Sequence, residues 1–187
     1  MASRAPDFWQ AGMDSPWPGL LQPLAALYEL GNHLNRRITT AQDVGRPVIS
    51  VGNLVAGGAG KTPTAIALSE MLHRLGLQPQ IVSRGYGGRL AGPVRVDPSR
   101  HTAADVGDEA LLLSAAAPTW IGRDRPAAAR AAAAAGAGCI IADDAHQSYA
   151  LARRLSLLVV DGGYGFGNGR LLPAGPLREP VEEGLAR

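Results

Sequence analysis

The sequence of 187 residues predicts an α/β fold, with helices on both faces of a mostly parallel sheet. Two observations lead to this prediction. From residue 47 onward, short apolar runs alternate with segments of helical composition, a pattern typical of parallel sheets. A glycine-rich loop also joins the first apolar run to the first helical segment. Ligands of such sheets bind beyond the carboxyl ends of the strands, so the residues that follow each strand are the candidate site residues.

The elements follow in order along the chain. We expect five strands, at residues 47–51, 80–83, 119–122, 138–142 and 156–161. Three helices are predicted between them, at 64–75, 108–116 and 125–135, and the last is so rich in alanine that a helix is the simplest interpretation. The length allows one domain and a short appendage.

Composition narrows the class of protein. Hydrophobic residues make up 46% and charged residues 18% of the chain, which indicates a globular protein. A net charge of +2 is too small for a field that would attract nucleic acid. Cys139 is the single cysteine, which excludes an internal disulfide and suits a reducing cytoplasm. No apolar run reaches the roughly 18 residues of a membrane-spanning helix.

Residues 1–46 differ from the rest and are predicted to form an amphipathic helical segment that precedes a nucleotide-binding lobe at 47–187. Leucines recur there at helical spacing before a pair of arginines, Arg36 and Arg37. Aromatic side chains lie at the other end, at Phe8, Trp9 and Trp17. This arrangement suits a membrane surface. A helix packed on its own domain carries the same stripe, so that alternative stays open.

The first strand leads into a loop that closes on Gly-Lys-Thr, and this context predicts a P-loop NTPase-like fold. Backbone N–H groups of such a loop and the following helix N-terminus bind phosphate. Lys61 would reach the outer phosphates of ATP, and the Thr62 hydroxyl would ligate Mg²⁺. Val55 stands where the usual pattern has glycine, and a purely structural glycine turn is the alternative. The predicted nucleotide-binding residues are Gly57, Gly58, Ala59, Gly60, Lys61 and Thr62.

Two acidic groups follow predicted strands or precede predicted helices. Asp143 and Asp144 end an apolar strand, which is how nucleotide-binding domains present carboxylates to Mg²⁺, although a solvated turn would look the same. Asp108 and Glu109 stand at a helix start, where acidic residues are often only caps. The functional alternative is a general base that takes a proton from a substrate hydroxyl, as kinases require.

Glycine-rich loops follow two further strands. The first carries Arg84 and Tyr86, and the second carries Asn168. Glycines let the backbone approach a ligand, and these side chains suit sugar hydroxyls and phosphate. Flexible surface turns are the alternative. Of the histidines, only His146 is placed near the acidic pair.

Taken together, the motifs resemble those of the tetraacyldisaccharide 4′-kinases, the lipid A 4′-kinases of Gram-negative bacteria. The matching blocks cover nearly the whole chain: APDFW, LLQPLAALY, RPVISVGNLVAGGAGKTP, SRGYGG, DVGDE, DDAHQ, LSLLVVDG and GFGNGRLLPAGPLREP. The resemblance implies ATP-dependent phosphorylation of the 4′-hydroxyl of a lipid-linked glucosamine disaccharide at the cytoplasmic face of the inner membrane. It also implies a membrane role for the N-terminal helix.

The resemblance assigns roles at matching positions. Lys61 and Thr62 would hold the ATP phosphates and Mg²⁺, and Asp108 would be the catalytic base. Asp143 and Asp144 would bind the metal, with Glu109 and Thr62 completing the predicted ligand set. The residues expected to face the substrate are Arg84, Tyr86, Gln147 and Asn168.

Two departures from the family pattern stand out. Ala145 and His146 occupy positions where the family has glycine and an apolar residue, so either this loop is reshaped or the glycine is not needed. Family members also continue beyond the position of Arg187 into a second lobe, which holds the histidine that partners the base. The chain is therefore expected to be the N-terminal lobe of a kinase. The alternatives are a nucleotide-switched, membrane-associated binding protein and an inactive lobe that binds lipid only.

Overall fold

A computed structural model describes residues 5–10 and 12–187. They form two compact units. Unit 1 contains the residues up to Thr39, Asn53–Ala59 and Leu158–Arg187. Unit 2 contains Thr40–Gly52 and Gly60–Leu157. The predicted boundary at residue 46 stays a prediction, because these units are defined by contacts and each combines separate stretches of chain.

A six-stranded sheet of order β3-β4-β2-β5-β1-β6 is built mainly by unit 2. Its strands are β1 (Val48–Gly52), β2 (Pro79–Ser83), β3 (Val94–Arg95), β4 (Thr119–Ile121), β5 (Cys139–Asp143) and β6 (Leu155–Leu158). The pairs β1–β5, β2–β5 and β2–β4 are parallel, and β3 is antiparallel to β4. The predicted α/β class is confirmed, and β3 is the strand that the sequence did not predict. Two residues are too few to show a pattern.

Four helices belong to unit 2: α3 (Lys61–Arg74), α4 (Ala103–Val106), α5 (Asp108–Ser114) and α6 (Arg125–Ala134). The side chain of Asp124 begins α6 by accepting a hydrogen bond from Ala127 N at 3.0 Å. The alanine side chains on one face of α6 pack on Ile140 and Ala142 of β5. Ile141 alternates with these two residues and so points to the opposite face of the sheet, and it is fully buried.

Unit 1 combines the N-terminal helices α1 (Trp17–Leu20) and α2 (Gln22–Ile38) with the C-terminal helix α7 (Val181–Leu185). A 3₁₀ turn at Asp7–Trp9 precedes them. Trp9 donates its Nε1–H to the carbonyl of Pro173 at 3.1 Å, and both Phe8 and Trp9 are half-buried. Of the three aromatic side chains that the sequence assigned to a membrane surface, only Trp17 is exposed. None of the helices within the described residues has the length and apolarity to cross a membrane.

The close approach of Gly52 to His146 sets a tight constraint at the end of β1. A Cβ atom added at Gly52 would lie 2.4 Å from the His146 Cβ and 2.9 Å from the His146 backbone nitrogen. His146 is 1% exposed, so the close packing around it opposes a shift away from the added Cβ atom. We therefore predict that Gly52→Ala lowers the free energy of unfolding by about 1–3 kcal/mol, measured by urea denaturation.

The matched control is Gly162→Ala, because a Cβ atom there would meet nothing within 4 Å. It should leave the free energy of unfolding within about 0.5 kcal/mol of the wild type. Equal stability of the two variants would contradict the packing described for Gly52.

Candidate functional site

The first half of the glycine-rich loop, Asn53–Ala59, belongs to unit 1 and is held there by the segment 172–179. Ala56 N donates to Pro176 O, and Arg178 N donates to Leu54 O, both at 2.7 Å. Val55, which replaces the usual glycine, is 5% exposed and packs with Leu177 in a small apolar cluster. Valine therefore suits this position because it is a core residue of unit 1. The sequence LPAGPLRE, which carried part of the family resemblance, serves here as support for the loop.

The second half of the loop opens α3 in unit 2. Gly60 adopts a positive φ of 83°, a conformation that glycine reaches without strain, and its carbonyl accepts the first helical hydrogen bond from Thr64 N at 3.1 Å. Lys61 and Thr62 follow as the first residues of α3 and are half-buried. Gly57, Gly58 and Gly60 are exposed, whereas Ala59 is buried. Within unit 2, Gly60 thus presents exposed backbone at the N-terminus of α3, an arrangement that suits phosphate.

Lys61 reaches the acidic pair. In the β1–β5 register Val51 lies opposite Asp143, so the chain segments that leave both strands start at the same edge of the sheet. The Lys61 Nζ lies 3.6 Å from Asp144 Oδ1, and the lysine side chain is only 12% exposed. Lys61 is also the only lysine in the chain. The two motifs that the sequence predicted separately, phosphate loop and acidic strand end, therefore meet through an ion pair.

Asp143 is the buried member of the acidic pair, at 1% exposure. Burial first, and then the carboxylates of Glu109 and Asp144, raise its pKa from 3.8 to about 6, while Lys61 acts in the opposite direction. These influences place Glu109, Asp144 and Lys61 in one electrostatic neighbourhood with Asp143. A carboxylate in such surroundings is typical of a functional site.

The donors suit Mg²⁺, although not as a closed protein cage. Among the described residues, no three His, Cys, Asp or Glu side chains are grouped as metal ligands. Mg²⁺ usually takes one or two carboxylates and completes its shell with water and substrate phosphates. Asp143 and Asp144, two adjacent carboxylates at the end of β5, fit that mode. The full predicted set of Thr62, Glu109, Asp143 and Asp144 stays a prediction.

The turn after β5 resolves the question raised by Ala145. The positive φ of 45° lies at Asp144, which is the only non-glycine residue with a positive φ in the described part of the chain. Glycine is therefore not required at position 145. Ala145 is buried, and its N–H donates to Val51 O at 3.3 Å. Arg125, the first residue of α6, donates from Nη2 to the Asp144 carbonyl at 2.6 Å. Nothing in the sequence singled out Arg125, because the contact joins residues that are 19 positions apart.

The remaining predicted site residues lie in unit 2, with the exception of Asn168. Asp108 and Glu109 begin α5 and are exposed, and Glu109 N donates to Asp108 Oδ1 at 3.0 Å, a local contact at the start of the helix. Arg84 and Tyr86 follow β2 in an exposed loop of unit 2, where Tyr86 is 84% exposed. Gln147 lies half-buried in the turn after β5.

Asn168 is placed differently, in unit 1. Its Nδ2 donates to Phe8 O and to Ala174 O, both at 3.0 Å, and its Oδ1 accepts from Arg170 N at 3.0 Å. These bonds tie three segments of unit 1 together. The predicted substrate contact of Asn168 stays a prediction, while its structural role is visible directly.

Comparison with known proteins gives a consistent result. The family model described as tetraacyldisaccharide-1-P 4′-kinase matches residues 17–187. A protein named tetraacyldisaccharide 4′-kinase from Rhodospirillum centenum is 57% identical over 187 residues, covering 98% of this chain and 56% of that protein. A protein of the same name from Dinoroseobacter shibae is 57% identical over 186 residues, covering 98% of this chain and 55% of that protein.

A solved structure agrees. The "apo" form of LpxK from Aquifex aeolicus, in complex with ATP, matches with a TM-score of 0.77 and 30% identity over 89% of this chain and 55% of that one. The chain spans a little over half the length of the relatives that it matches.

The burial of Asp143 predicts a specific pH dependence of stability without metal or nucleotide. Between pH 3.8 and about 6 the unfolded chain has lost the Asp143 proton while the folded protein still binds it. The free energy of unfolding therefore falls as pH rises through that window and stays lower above it. Asp143→Asn removes this pH dependence. We therefore expect the free energy of unfolding of the variant, measured relative to that of the wild type, to increase by about 2 kcal/mol between pH 4.5 and 7.5.

Urea denaturation in the presence of a chelator measures the effect. A bound cation offsets the repulsion between Asp143 and the neighbouring carboxylates. Excess Mg²⁺ should therefore reduce the difference in free energy of unfolding between the variant and the wild type at pH 7.5. A gap that stays constant with pH would contradict the raised pKa of Asp143.

Proposed function

Since the chain belongs to the tetraacyldisaccharide-1-P 4′-kinase family, we propose that it carries out the ATP-dependent phosphorylation of the 4′-hydroxyl of the lipid A disaccharide 1-phosphate precursor. This is a step of lipid A, and hence lipopolysaccharide, biosynthesis. The relatives are nearly twice as long, so the activity of this chain is proposed as that of an N-terminal kinase lobe.

One observation carries the proposal. The only lysine of the chain opens α3 and lies 3.6 Å from Asp144, next to the buried Asp143 at the carboxyl edge of the sheet. Phosphoryl transfer depends on positioning and on electrostatic stabilisation of the transferred group. A shielded cation beside two carboxylates at the end of a glycine loop supplies both requirements.

The residues divide the work. Lys61 would stabilise the charge on the γ-phosphoryl group, and the backbone from Gly57 to Gly60 would hold the phosphates. The substrate 4′-oxygen forms a bond to the γ-phosphorus, the bond from that phosphorus to the ADP oxygen breaks, and ADP keeps the electron pair. Asp108 would accept the proton of the hydroxyl. Bound at Thr62, Asp143 and Asp144, Mg²⁺ would neutralise phosphate charge.

Arg84 and Tyr86 would contact the disaccharide. Their loop is exposed, and an aromatic ring beside a guanidinium group suits a phosphorylated sugar. Gln147, in the turn after Asp144, would complete this side of the site.

We also propose that α2 seats unit 1 on a membrane surface. Its polar side faces the protein: Asn32 Nδ2 donates to Arg178 O at 2.9 Å, and Arg36 pairs with Glu183 at 3.2 Å. The opposite side carries large aliphatic side chains that are 52–79% exposed, at Leu24, Leu27, Leu30, Leu34 and Ile38. Surface helices of soluble domains turn their apolar stripe inward, so this orientation is the reverse of the usual one.

A lipid bilayer is the occupant that fits this face. Arg37 in the last turn of α2 suits anionic head groups, and the exposed Trp17 lies at the start of the helical segment. The proposed substrate is lipid-linked, so its sugar would lie at the same surface. We propose that the protein is a peripheral or monotopic protein at the cytoplasmic face of the bacterial inner membrane, as the family resemblance implies.

The first experiment follows transfer of labelled phosphate from ATP to the disaccharide 1-phosphate lipid in detergent. We expect Lys61→Ala and Asp108→Asn each to lower the rate at least 100-fold, because each removes a group that acts on the reacting atoms. Glu70→Gln, on the exposed side of α3, is the control and should transfer at the wild-type rate.

ATP binding is measured separately. Since Lys61 is the only lysine, an amine-reactive reagent labels one side chain, and its protection by ATP reports nucleotide binding by mass spectrometry. Asp108→Asn should keep this protection. Protection without transfer in the wild type would favour the nucleotide-switched or inactive alternatives, and no protection would contradict the kinase proposal altogether.

The second experiment is flotation with vesicles that contain phosphatidylglycerol. We expect the paired substitution Leu27→Glu and Leu34→Glu to abolish binding, because two charges would be forced against the acyl region. Leu75→Glu, at a site 70% exposed outside α2, should bind as the wild type does. A concentration-dependent dimer without lipid, lost in the paired variant, would show that a second copy covers this face instead.

A further inference from the structure

The loop that carries Arg84 and Tyr86 is fastened to the segment that precedes Asp108, and both lie in unit 2. Arg89 N donates to Ala104 O at 3.0 Å, and Leu90 N donates to Asp105 O at 2.9 Å. Two parts of the predicted site that lie about 20 residues apart in the sequence are thus joined by backbone hydrogen bonds.

The side chain of Asp105 is the centre of this junction. One carboxylate oxygen, Oδ2, accepts from Thr102 N at 2.8 Å and from Thr102 Oγ1 at 2.7 Å, which forms a capping box at the start of α4. The other oxygen, Oδ1, accepts from Arg89 Nε at 2.7 Å and from Nη2 at 2.6 Å. The backbone and hydroxyl donors of Thr102, with Arg89, lower the pKa of Asp105 to about 2, so the carboxylate stays ionised at neutral pH.

The two backbones approach so closely that only glycine fits. A Cβ atom at Gly107 would lie 2.3 Å from Tyr86 O, and one at Gly88 would lie 2.7 Å from Asp105 O. Gly107 directly precedes Asp108, and its φ of 89° would itself disfavour another residue. A displacement of the loop is therefore transmitted directly to the start of α5.

We infer that Asp105 and Arg89 are a pair of positioning residues that set the distance between the substrate loop at Arg84 and Tyr86 and the base Asp108. The inference rests on the proposed function. Neither side chain is itself required at the reacting atoms, because the Asp105 carboxylate is saturated with donors and Arg89 is bound to it. The pair acts through geometry, and small misplacements of reacting groups lower rates by large factors.

Arg89→Ala is the decisive variant, because the Arg89 side chain is 77% exposed and its removal leaves the core intact. We expect kcat/KM for the lipid acceptor to fall about 10- to 100-fold, while protection of Lys61 by ATP changes less than twofold. Arg89→Lys keeps the charge but loses the bidentate geometry, and it should recover part of the rate. A variant that only destabilised the fold would lower both kcat/KM for the lipid acceptor and the protection of Lys61 by ATP.

Arg100→Ala is the matched control. Arg100 is 82% exposed and pairs with Asp97 at 3.5 Å, outside the junction. It should transfer phosphate at the wild-type rate. Wild-type kinetics in Arg89→Ala, or an equal loss of ATP protection, would overturn the inference.

Hydrogen–deuterium exchange keeps the test independent of turnover. Arg89→Ala should raise exchange in the peptides covering residues 84–90 and 102–108 together, and Arg100→Ala should leave both unchanged. If the wild type transfers no phosphate, the proposed function fails while this coupling is still measured. Exchange confined to residues 84–90 would show that the loop and the α5 start are not coupled, which contradicts the pair's role.

Discussion

The parallel pairing of β1 with β5 is the constraint on which the candidate site depends. Opposite partners such as Val51 and Asp143 make the two strands end together, so the glycine loop and the acidic pair leave the sheet at one edge. Lys61 then needs only the first turn of α3 to reach Asp144. A register shift by one residue would turn Asp143 to the opposite face of the sheet, and the lysine would lose its neighbourhood of carboxylates.

This arrangement costs stability in the absence of ligands. Asp143 is buried beside Glu109 and Asp144, with Lys61 as the cation that opposes their repulsion. A divalent cation would supply the positive charge that this neighbourhood lacks. The backbone of Asp144 is also strained, because its φ of 45° lies in the left-handed region. Arg125 holds this conformation by donating a hydrogen bond to the Asp144 carbonyl. Residues in rarely populated conformations are often retained where ligands bind.

Helix α2 illustrates how tertiary contacts change the meaning of a sequence pattern. Its leucines recur at helical spacing, which predicts a stripe but not what the stripe faces. Contacts with residues nearly 150 positions later, Asn32 with Arg178 and Arg36 with Glu183, turn the polar side toward the protein. The aromatic residues that the sequence grouped with this stripe are divided in the same way, because Trp9 bonds to Pro173 whereas Trp17 is exposed. The outward apolar face is a property of the folded unit 1.

The sequence by itself determined the α/β class, the positions of five strands and the residues that follow them, because these depend on local patterns and on turn chemistry. It also predicted site roles for Lys61, Asp108, Asp143 and Asp144 from motifs that are contiguous in the chain. Only the tertiary structure decided the long-range contacts within each unit: the support of residues 54–56 by residues 172–179 in unit 1, and the Arg125 bond to Asp144 and the junction of Arg89 with Asp105 in unit 2. Periodicity and spacing report neighbours along one element, whereas these contacts link elements whose separation in sequence carries no signal.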